Sequence, residues 1–266
     1  MLLGVNIDHI AVLREARKIN DPNVMDALGI CKIAGADQIT IHLREDRRHI
    51  HDLDAKNIIS TSTLPVNLEC SINDSIIDIV CSLKPFRATL VPENREEVTT
   101  EGGLDLENNF EKIKTVVEKL KTNQIEVSLF IDPNEKSVKL SKELNVEFIE
   151  LHTGTYANIY AMLYSNLQNT QHSIKELELS KNELLVKLEN SFEALKNSSI
   201  LANSLGLKVA AGHGLNYQNV KKILEIKDII ELNIGQSIIA RSVFTGLERA
   251  IKDMKNLLKR WKTYQK

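Results

Sequence analysis

The segment "IHLREDRRHIHD", residues 41–52, carries three histidines, three arginines and three carboxylates directly after a short apolar run. Histidine titrates near neutral pH and is therefore suited to acid–base catalysis. Arginine is suited to bidentate contacts with phosphate. A solvated surface loop can have the same composition, so the segment alone predicts either a charged loop or a site for phosphorylated ligands.

Eight short apolar runs rich in β-forming residues recur at intervals too long for hairpins. They are residues 2–8, 38–43, 65–70, 87–92, 126–132, 148–153, 208–214 and 229–235. Helical periodicity lies between them, as in residues 72–83 and 110–120, with Asn73, Asn134 and Asn216 at candidate helix N-caps. Eight such units predict an α/β protein of the (β/α)8 TIM barrel class, with extra helices. A doubly wound open sheet is disfavoured, because no GxGxxG motif follows the first run.

No linker or composition shift divides the chain, so we expect residues 1–266 to form a single barrel domain. The interval between strands six and seven is longer than a barrel unit needs. An apolar face that includes Leu184, Leu188 and Phe192 predicts an enlarged helical insertion at about 156–195. An extended helix without a function of its own is the favoured interpretation, and packing against a neighbouring subunit is the alternative.

The composition is that of an ordinary globular protein, with 42% apolar residues, 26% charged residues and a net charge of -2. This balance gives no reason to expect nucleic acid or a membrane as a partner. The three cysteines are odd in number and lack CxxC spacing, which disfavours a disulfide framework or a zinc site. The first ten residues have no basic segment and are interrupted by Asp8, unlike a signal peptide. We therefore expect a cytoplasmic protein.

In a (β/α)8 barrel the reactive groups lie at the carboxyl ends of the strands. Almost every predicted strand ends in polar residues, and burying these costs free energy unless they are paired. They are Asn6, Asp8, His9, His42, Arg44, Asn67, Glu69, Asp132, Glu150, His152, His213, Gly214, Asn233 and Gly235. A ring of polar residues at one end of the barrel predicts an active site.

His42, Glu69 and His213 are the strongest catalytic candidates in this ring. Glu69 lies between Leu68 and Cys70, where partial burial would raise the pKa of its carboxyl toward the range useful for proton transfer. The two histidines titrate near neutral pH.

Four other members of the ring have a structural interpretation. Asn67 and Asn233 are predicted to cap neighbouring backbone. Asp132 precedes Pro133 and is interpreted as a turn or helix cap. For His152, a role in the chemistry and a role in orienting a loop are equally supported.

Two groups of residues predict phosphate sites. Gly212, Gly214 and Gly235 follow strands seven and eight, where backbone N–H groups at a helix N-terminus often bind phosphate in barrels. On the opposite side, Arg17, Arg44 and His49 are the candidate ligand contacts of a basic cluster. Two sites indicate two phosphorylated substrates, or one substrate with two phosphates. The loop 92–106, with Thr99 and Thr100, is either a mobile lid or an ordinary flexible loop.

Two kinds of catalysis, by a Schiff-base lysine and by a bound metal ion, are disfavoured because the strand ends lack the residues that they need. Lys208 stands at the start of strand seven, not at an end where a Schiff-base lysine is needed. His9 stands without a second histidine on strand one, and His49 with His51 is a weak metal motif. We therefore expect metal-free acid–base chemistry on phosphorylated small molecules, without a cofactor. A non-catalytic phosphosugar-binding barrel and a phosphosugar isomerase or epimerase are the rival hypotheses.

The segments "GVNIDHIAVLREAR", "HLREDRRHI", "LVPENREEVTTEGGLD", "IELHTG", "AGHGL" and "ELNIG" closely resemble the pyridoxine 5′-phosphate synthase family of vitamin B6 biosynthesis. The resemblance covers nearly the whole chain apart from the insertion. It implies a (β/α)8 barrel that assembles as a homooctamer. It also implies condensation of 3-amino-2-oxopropyl phosphate with 1-deoxy-D-xylulose 5-phosphate, which yields pyridoxine 5′-phosphate, phosphate and water.

The resemblance also implies roles for individual residues. His42 and Glu69 match proton acceptors, His213 a proton donor, and Glu150 a carboxylate that stabilises the transition state. The contacts to the aminoketone phosphate match Asn6, Arg17, Gly214, Gly235 and Gln236. The contacts to the deoxyxylulose phosphate match Asp8, His9, Arg44, His49 and Thr99. Gln236 departs from the histidine expected in much of the family; it can donate a hydrogen bond to phosphate but carries no charge.

Overall fold

The structure is a computed structural model that describes residues 1–93 and 102–263, with side chains described as far as residue 259. Eight parallel strands form a closed barrel in which each strand pairs with the next and β8 pairs with β1. They are β1 (Leu2–Asn6), β2 (Gln38–His42), β3 (Val66–Cys70), β4 (Arg87–Leu90), β5 (Glu126–Ile131), β6 (Phe148–His152), β7 (Lys208–Gly212) and β8 (Ile229–Ile234). The predicted (β/α)8 fold is confirmed. Most strands end one or two residues earlier than predicted; Asp8, for example, already begins the first helix.

The helices surround the barrel. They are α1 (Asp8–Glu15), α2 (Asp26–Ala34), α3 (Asp52–Thr61), α4 (Asp74–Leu83), α5 (Phe110–Thr122), α6 (Glu135–Glu143), α7 (Gly154–Tyr164), α8 (Lys181–Ser204), α9 (Val220–Ile223), α10 (Gln236–Thr245) and α11 (Leu247–Thr263). Asn73 and Asn134 cap α4 and α6 as predicted, each accepting a backbone N–H. The prediction for Asn216 is wrong, because α9 begins only at Val220. The Asn216 side chain instead accepts the N–H groups of Gln218 and Asn219, in the turn that leads into α9. Within the described residues, no helix combines the length and the apolarity that crossing a bilayer demands.

Helices α7 and α8 fill most of the long interval between β6 and β7. Two short 3₁₀ turns, Leu167–Asn169 and Lys175–Leu177, connect them. A small apolar cluster centred on Ile159, Met162 and Leu184 joins the two helices away from the barrel. Farther along α8, Phe192 and Leu195 enter the main core. The helix starts at Lys181 because Ser180 and Glu183 form a reciprocal capping box there.

The main apolar core lies between the strands and the surrounding helices, whereas the inside of the barrel is polar. On β2, Ile39 and Ile41 are fully buried in the main core, while Thr40 donates to Asn233 across the barrel interior. This follows from the period-two alternation of a strand. Buried polar residues of the interior are Gln38, Thr40, Asn67, Thr89, Ser128, Glu150, Glu231 and Asn233.

Arg87 closes the amino-terminal end of this interior. Its guanidinium donates to Glu126 and to Glu231 at 2.7 Å each and lies 3.6 Å over the ring of Phe148. Glu231 is buried and also accepts from Gln38 at 3.2 Å. A buried ion pair satisfied in this way leaves an uncompensated charge when one partner is removed.

We expect Arg87→Met to lower the free energy of unfolding by about 3–5 kcal/mol, because the charge of Glu231 then stays buried without its partner. Urea denaturation measures this change. Adding Glu231→Gln should recover much of the loss. As a control, Lys119→Met breaks the exposed pair with Asp78 and should cost less than about 1 kcal/mol. A similar small loss for Arg87→Met would contradict the assignment.

Candidate active site

The end of β1 is tied to the end of β2 by Asp8. One carboxylate oxygen of Asp8 accepts the backbone N–H of His42 at 3.0 Å, and the other accepts from the Asn6 amide at 3.0 Å. The side-chain oxygen Oδ1 of Asn6 in turn accepts the backbone N–H of Asp8 at 2.9 Å. His9 follows on the first turn of α1. The structure therefore brings Asn6, Asp8 and His9 to the mouth beside His42.

His42 and Glu69 are register partners on neighbouring strands. Their side chains approach to 4.0 Å, between His42 Nδ1 and Glu69 Oε2. Burial raises the pKa of the Glu69 carboxyl well above its ordinary value, and the nearby carboxyl groups of Glu150 and Asp8 raise it further. A carboxyl with a raised pKa holds its proton near neutral pH and becomes a stronger base once ionised. The pair can therefore exchange protons with a bound ligand.

Glu93 is a member of the site that the sequence analysis missed. Its carboxylate lies 3.3 Å from His42 Nε2 and 4.0 Å from an Arg44 Nη, and it accepts the N–H of Glu45 at 3.0 Å. Burial opposes ionisation of Glu93, but His42, the N–H of Glu45 and the charge of Arg44 together hold its pKa below the usual range. The signal was present, because Glu93 follows β4 in the same way that the other candidates follow their strands.

The basic residues of the opening segment divide into two groups. Arg44 and His49 are buried near the mouth, and the His49 ring lies 6.3 Å from that of His42. Arg47 and Arg48 pair with Asp52 and Asp46 in partly exposed positions, as expected of a charged loop. His49 Nδ1 accepts the N–H of Ile50 at 2.9 Å, so the ring proton of neutral His49 is on Nε2.

The arginines that follow β1 do not join the mouth in the same way. Arg14 is buried, donates twice to Asp54 at 2.8 Å and also donates to the carbonyl of His49 at 2.7 Å. It therefore supports the loop that carries His49. Arg17 lies in the exposed segment after α1, and the structure does not bring its side chain into contact with another predicted site residue within the described part of the chain.

Glu150 lies inside the barrel mouth, where the Asn233 amide donates to it at 2.7 Å. The predicted backbone-capping role of Asn233 is therefore wrong. Asn67 likewise points inward and accepts from Thr89 at 2.7 Å, so its predicted capping role is wrong as well. Both side chains face the interior because they alternate with outward apolar residues on their strands.

The surroundings of Glu150 change the pKa of its carboxyl. Burial raises its pKa to about 7, although the Asn233 hydrogen bond acts in the opposite direction. Gly212 makes the arrangement possible, because a Cβ at that position would lie 2.1 Å from Glu150 Oε1. Glu150 can therefore both hold and release a proton at physiological pH.

His213 follows β7 in a left-handed backbone conformation with φ +78°, which few residues other than glycine adopt. The buried Thr153 hydroxyl contacts the carbonyl oxygens of Gly212 and His213 at 2.6 Å each, which fixes this turn. Gly214 is also left-handed, at φ +84°, and an added Cβ would lie 2.6 Å from that of Ala157. The turn exposes His213 at the mouth.

Gly235 and Gln236 mark the junction of β8 with α10. A Cβ at Gly235 would lie 2.8 Å from that of Asn6, so only glycine lets the two strands approach here. Gln236 is exposed and opens the ten-residue helix α10. A helix N-terminus beside Asn6 is suited to binding an anion.

The structure describes both ends of the predicted loop 92–106, residues 92–93 and 102–106. Gly103 donates its N–H to Asp132 at 2.9 Å, and Leu104 donates to the carbonyl of Phe130 at 2.8 Å. Of the two interpretations of Asp132, the helix cap is wrong, since Asn134 caps α6. Asp132 does lie in the turn before α6, where its backbone carbonyl accepts the N–H of Asn134 at 2.8 Å, and its carboxylate holds the end of this loop. Thr99 and Thr100, and with them the lid hypothesis, lie outside the described residues.

The chain is similar to known proteins over nearly its whole length. Residues 3–260 match the family model described as "Pyridoxal phosphate biosynthesis protein PdxJ". A pyridoxine 5′-phosphate synthase from Aliarcobacter butzleri is 75% identical over 259 residues, which cover 97% of this chain and 99% of that protein. One from Sulfurovum sp. is 66% identical, covering 97% of this chain and 100% of that protein.

Solved structures of low identity share the fold. N-(5′-phosphoribosyl)anthranilate isomerase from Pyrococcus furiosus has a TM-score of 0.57 at 13% identity, covering 98% of this chain and 99% of that one. A native KDPGal structure has a TM-score of 0.63 at 8% identity, covering 99% of this chain and 97% of that one. These likenesses support the barrel architecture.

Proposed function

Because the chain belongs to the PdxJ family of pyridoxal phosphate biosynthesis proteins, we propose that its barrel mouth condenses 3-amino-2-oxopropyl phosphate with 1-deoxy-D-xylulose 5-phosphate. The products are pyridoxine 5′-phosphate, phosphate and water. One observation carries this proposal. Two carboxyl groups with raised pKa, Glu69 and Glu150, share the mouth with His42 and His213. Attack of an amine on a ketone, followed by dehydration and ring closure, needs several proton transfers at one place.

The four residues divide the proton transfers among them. Glu69 and His42 accept protons from the reacting carbons and the amine. His213 donates a proton to a leaving oxygen, and Glu150 stabilises the charge that develops in the transition state. The 4.0 Å separation of His42 and Glu69 places both acceptors within reach of one bound ligand.

Two groups of residues bind the two phosphates. Arg44 and His49, with Asp8, His9 and Thr99, bind the deoxyxylulose phosphate. Asn6, Arg17, Gly214, Gly235 and Gln236 bind the aminoketone phosphate. The burial of Arg44 and His49 and the N-terminus of α10 at Gln236 support this division. Gln236 offers an uncharged donor, so this second site depends on backbone N–H groups more than a histidine site would.

We also propose that residues 1–266 act as one barrel domain that assembles as a homooctamer in the cytoplasm. Exposed apolar side chains on α2 and α10 support self-association; Ile33 is 73% and Phe244 90% exposed. Three free cysteine thiols agree with a reducing compartment. Light scattering on the purified protein gives the molar mass that tests the assembly.

The proposed reaction is tested by giving the purified protein each substrate alone and both together, while pyridoxine 5′-phosphate and free phosphate are measured. We expect both products, and only in the complete mixture. Conversion of a single phosphosugar would favour an isomerase or epimerase. Binding of the sugar phosphate without any conversion would favour a non-catalytic barrel. Either result would overturn the synthase proposal.

A further inference from the structure

His152 is a buried titratable residue beside the proposed proton donor that has no role in the mechanism above. Its side chain is 4% exposed, and its ring lies 5.1 Å from the ring of His213 in an edge-to-face arrangement of 71°. The ring of Phe130 lies 5.1 Å from His152 and 6.2 Å from His213. The two imidazoles and the phenyl ring therefore form one packed group at the ends of β5, β6 and β7.

Asp132 determines which nitrogen of His152 carries a proton. Its carboxylate lies 3.3 Å from His152 Nδ1. The hydrogen bond with His152 lowers the pKa of Asp132 against the effect of burial, and the N–H of Gly103 lowers it further. An ionised carboxylate only accepts, so Nδ1 carries the proton and Nε2 of neutral His152 is left as an acceptor.

The surrounding backbone is built to hold the His152 ring in this place. A Cβ on Gly154 would lie 2.3 Å from His152 Nε2, so the ring occupies space that a side chain at position 154 would need. On the other side, the Asp132 carboxylate is fixed by the Gly103 N–H at 2.9 Å. The His152 ring is therefore held both by packing against Gly154 and by a carboxylate that is itself hydrogen-bonded, as expected for a side chain that supports a functional site.

We infer that His152 is a positioning residue for His213, oriented by Asp132 and holding the His213 ring at the angle needed to donate its proton. This inference rests on the proposed function, because it gives His213 the role of proton donor. The His152 side chain is only 4% exposed and packs against Phe130 and Gly154. It therefore acts on the substrate only through His213. The Asp132–His152 pair thus resembles other acid–base sites in which a carboxylate fixes the tautomer and orientation of a histidine.

The test is a double-mutant cycle on kcat and KM with both substrates. His152→Phe keeps an aromatic ring beside Phe130 and removes both nitrogens. We expect it to lower kcat about 10- to 100-fold, with both KM values nearly unchanged, because a misplaced donor slows the chemical step and not binding. His213→Asn should lower kcat further. In the His213→Asn background, adding His152→Phe should have no additional effect, since residues acting as a unit are not additive.

Two further variants keep the test decisive. Asp132→Asn removes the charge that fixes the His152 tautomer and should reproduce the loss in kcat, also if His152→Phe does not fold. The matched control is His172→Phe, an exposed histidine in the segment between α7 and α8, which should leave kcat unchanged. Circular dichroism verifies that each variant is folded.

The possible failures are distinguishable. Absence of product with the wild type would contradict the proposed function itself. A large loss with His213→Asn but wild-type kcat with His152→Phe and Asp132→Asn would overturn only the positioning role. An equal loss from His152→Phe in both backgrounds would also overturn it, because His152 would then act independently of His213. Wild-type kcat with His213→Asn would remove the donor through which His152 is inferred to act.

Discussion

Glu69→Gln is expected to lower kcat by about 10²- to 10⁴-fold, the contribution typical of a positioned acid–base group. Glutamine keeps the size and hydrogen-bonding shape of the side chain but can neither take up nor release a proton. The KM values for both phosphorylated substrates should change little, because Arg44 and His49 remain in place. Product formation at saturating concentrations of both substrates measures the effect.

The control for Glu69→Gln is Glu143→Gln, the same change at an exposed position at the C-terminal end of α6, on the side of the barrel where β6 begins and not where it ends. It should leave kcat and KM at wild-type values. A Glu69→Gln enzyme that retains kcat within about threefold of the wild type would remove Glu69 from the proton-transfer steps.

Gly212→Ala tests the geometry around Glu150. The added methyl group would lie 2.1 Å from Glu150 Oε1 and 3.0 Å from the carbonyl oxygen of Asn233. Either the carboxyl is displaced or β7 moves, and overpacking of this kind costs about 1–3 kcal/mol of stability. We expect kcat to fall about 10²- to 10³-fold, as when a group that stabilises the transition state is lost. Thermal unfolding and steady-state kinetics measure the two effects.

Gly29→Ala is the matched control for Gly212→Ala, because an added Cβ on α2 meets no atom within 4 Å. Alanine is favoured over glycine in a helix by about 1 kcal/mol, so this variant should be as active as the wild type and slightly more stable. A fully active Gly212→Ala enzyme would contradict the assigned position of Glu150.

The barrel could be predicted from sequence because its signal is local. Each strand is a short apolar run bounded by polar residues, and eight repeats leave few alternative architectures. The same reasoning located the ends of the strands, where Asp8, His42 and Glu150 are found. It failed for Asn67 and Asn233, since whether a polar side chain faces the backbone or the inside of a barrel depends on partners far away in sequence. Thr40 and Glu150 are such partners of Asn233.

Sequence analysis also could not find roles that depend on contacts between residues far apart in the chain. Arg14 and Arg44 look alike in the sequence, but only the structure assigns Arg14 to Asp54, 40 residues away. Asp132 looked like a turn residue because its partners, Gly103 and His152, come from the loop before α5 and from the end of β6. Glu93 carried a usable signal, since it follows a strand, and listing the end of strand four would have found it.

The role of Glu69 as a proton acceptor depends on the raised pKa of its carboxyl, which makes the ionised form a stronger base. Infrared difference spectra of wild type against Glu69→Gln isolate the C=O stretching band of its protonated carboxyl. The account predicts that this band is present at about pH 6, where an ordinary glutamate is ionised, and disappears only at higher pH. A Glu69 carboxyl that is already ionised at about pH 6 would contradict this raised pKa, and with it the assignment of Glu69 as a base strengthened by burial.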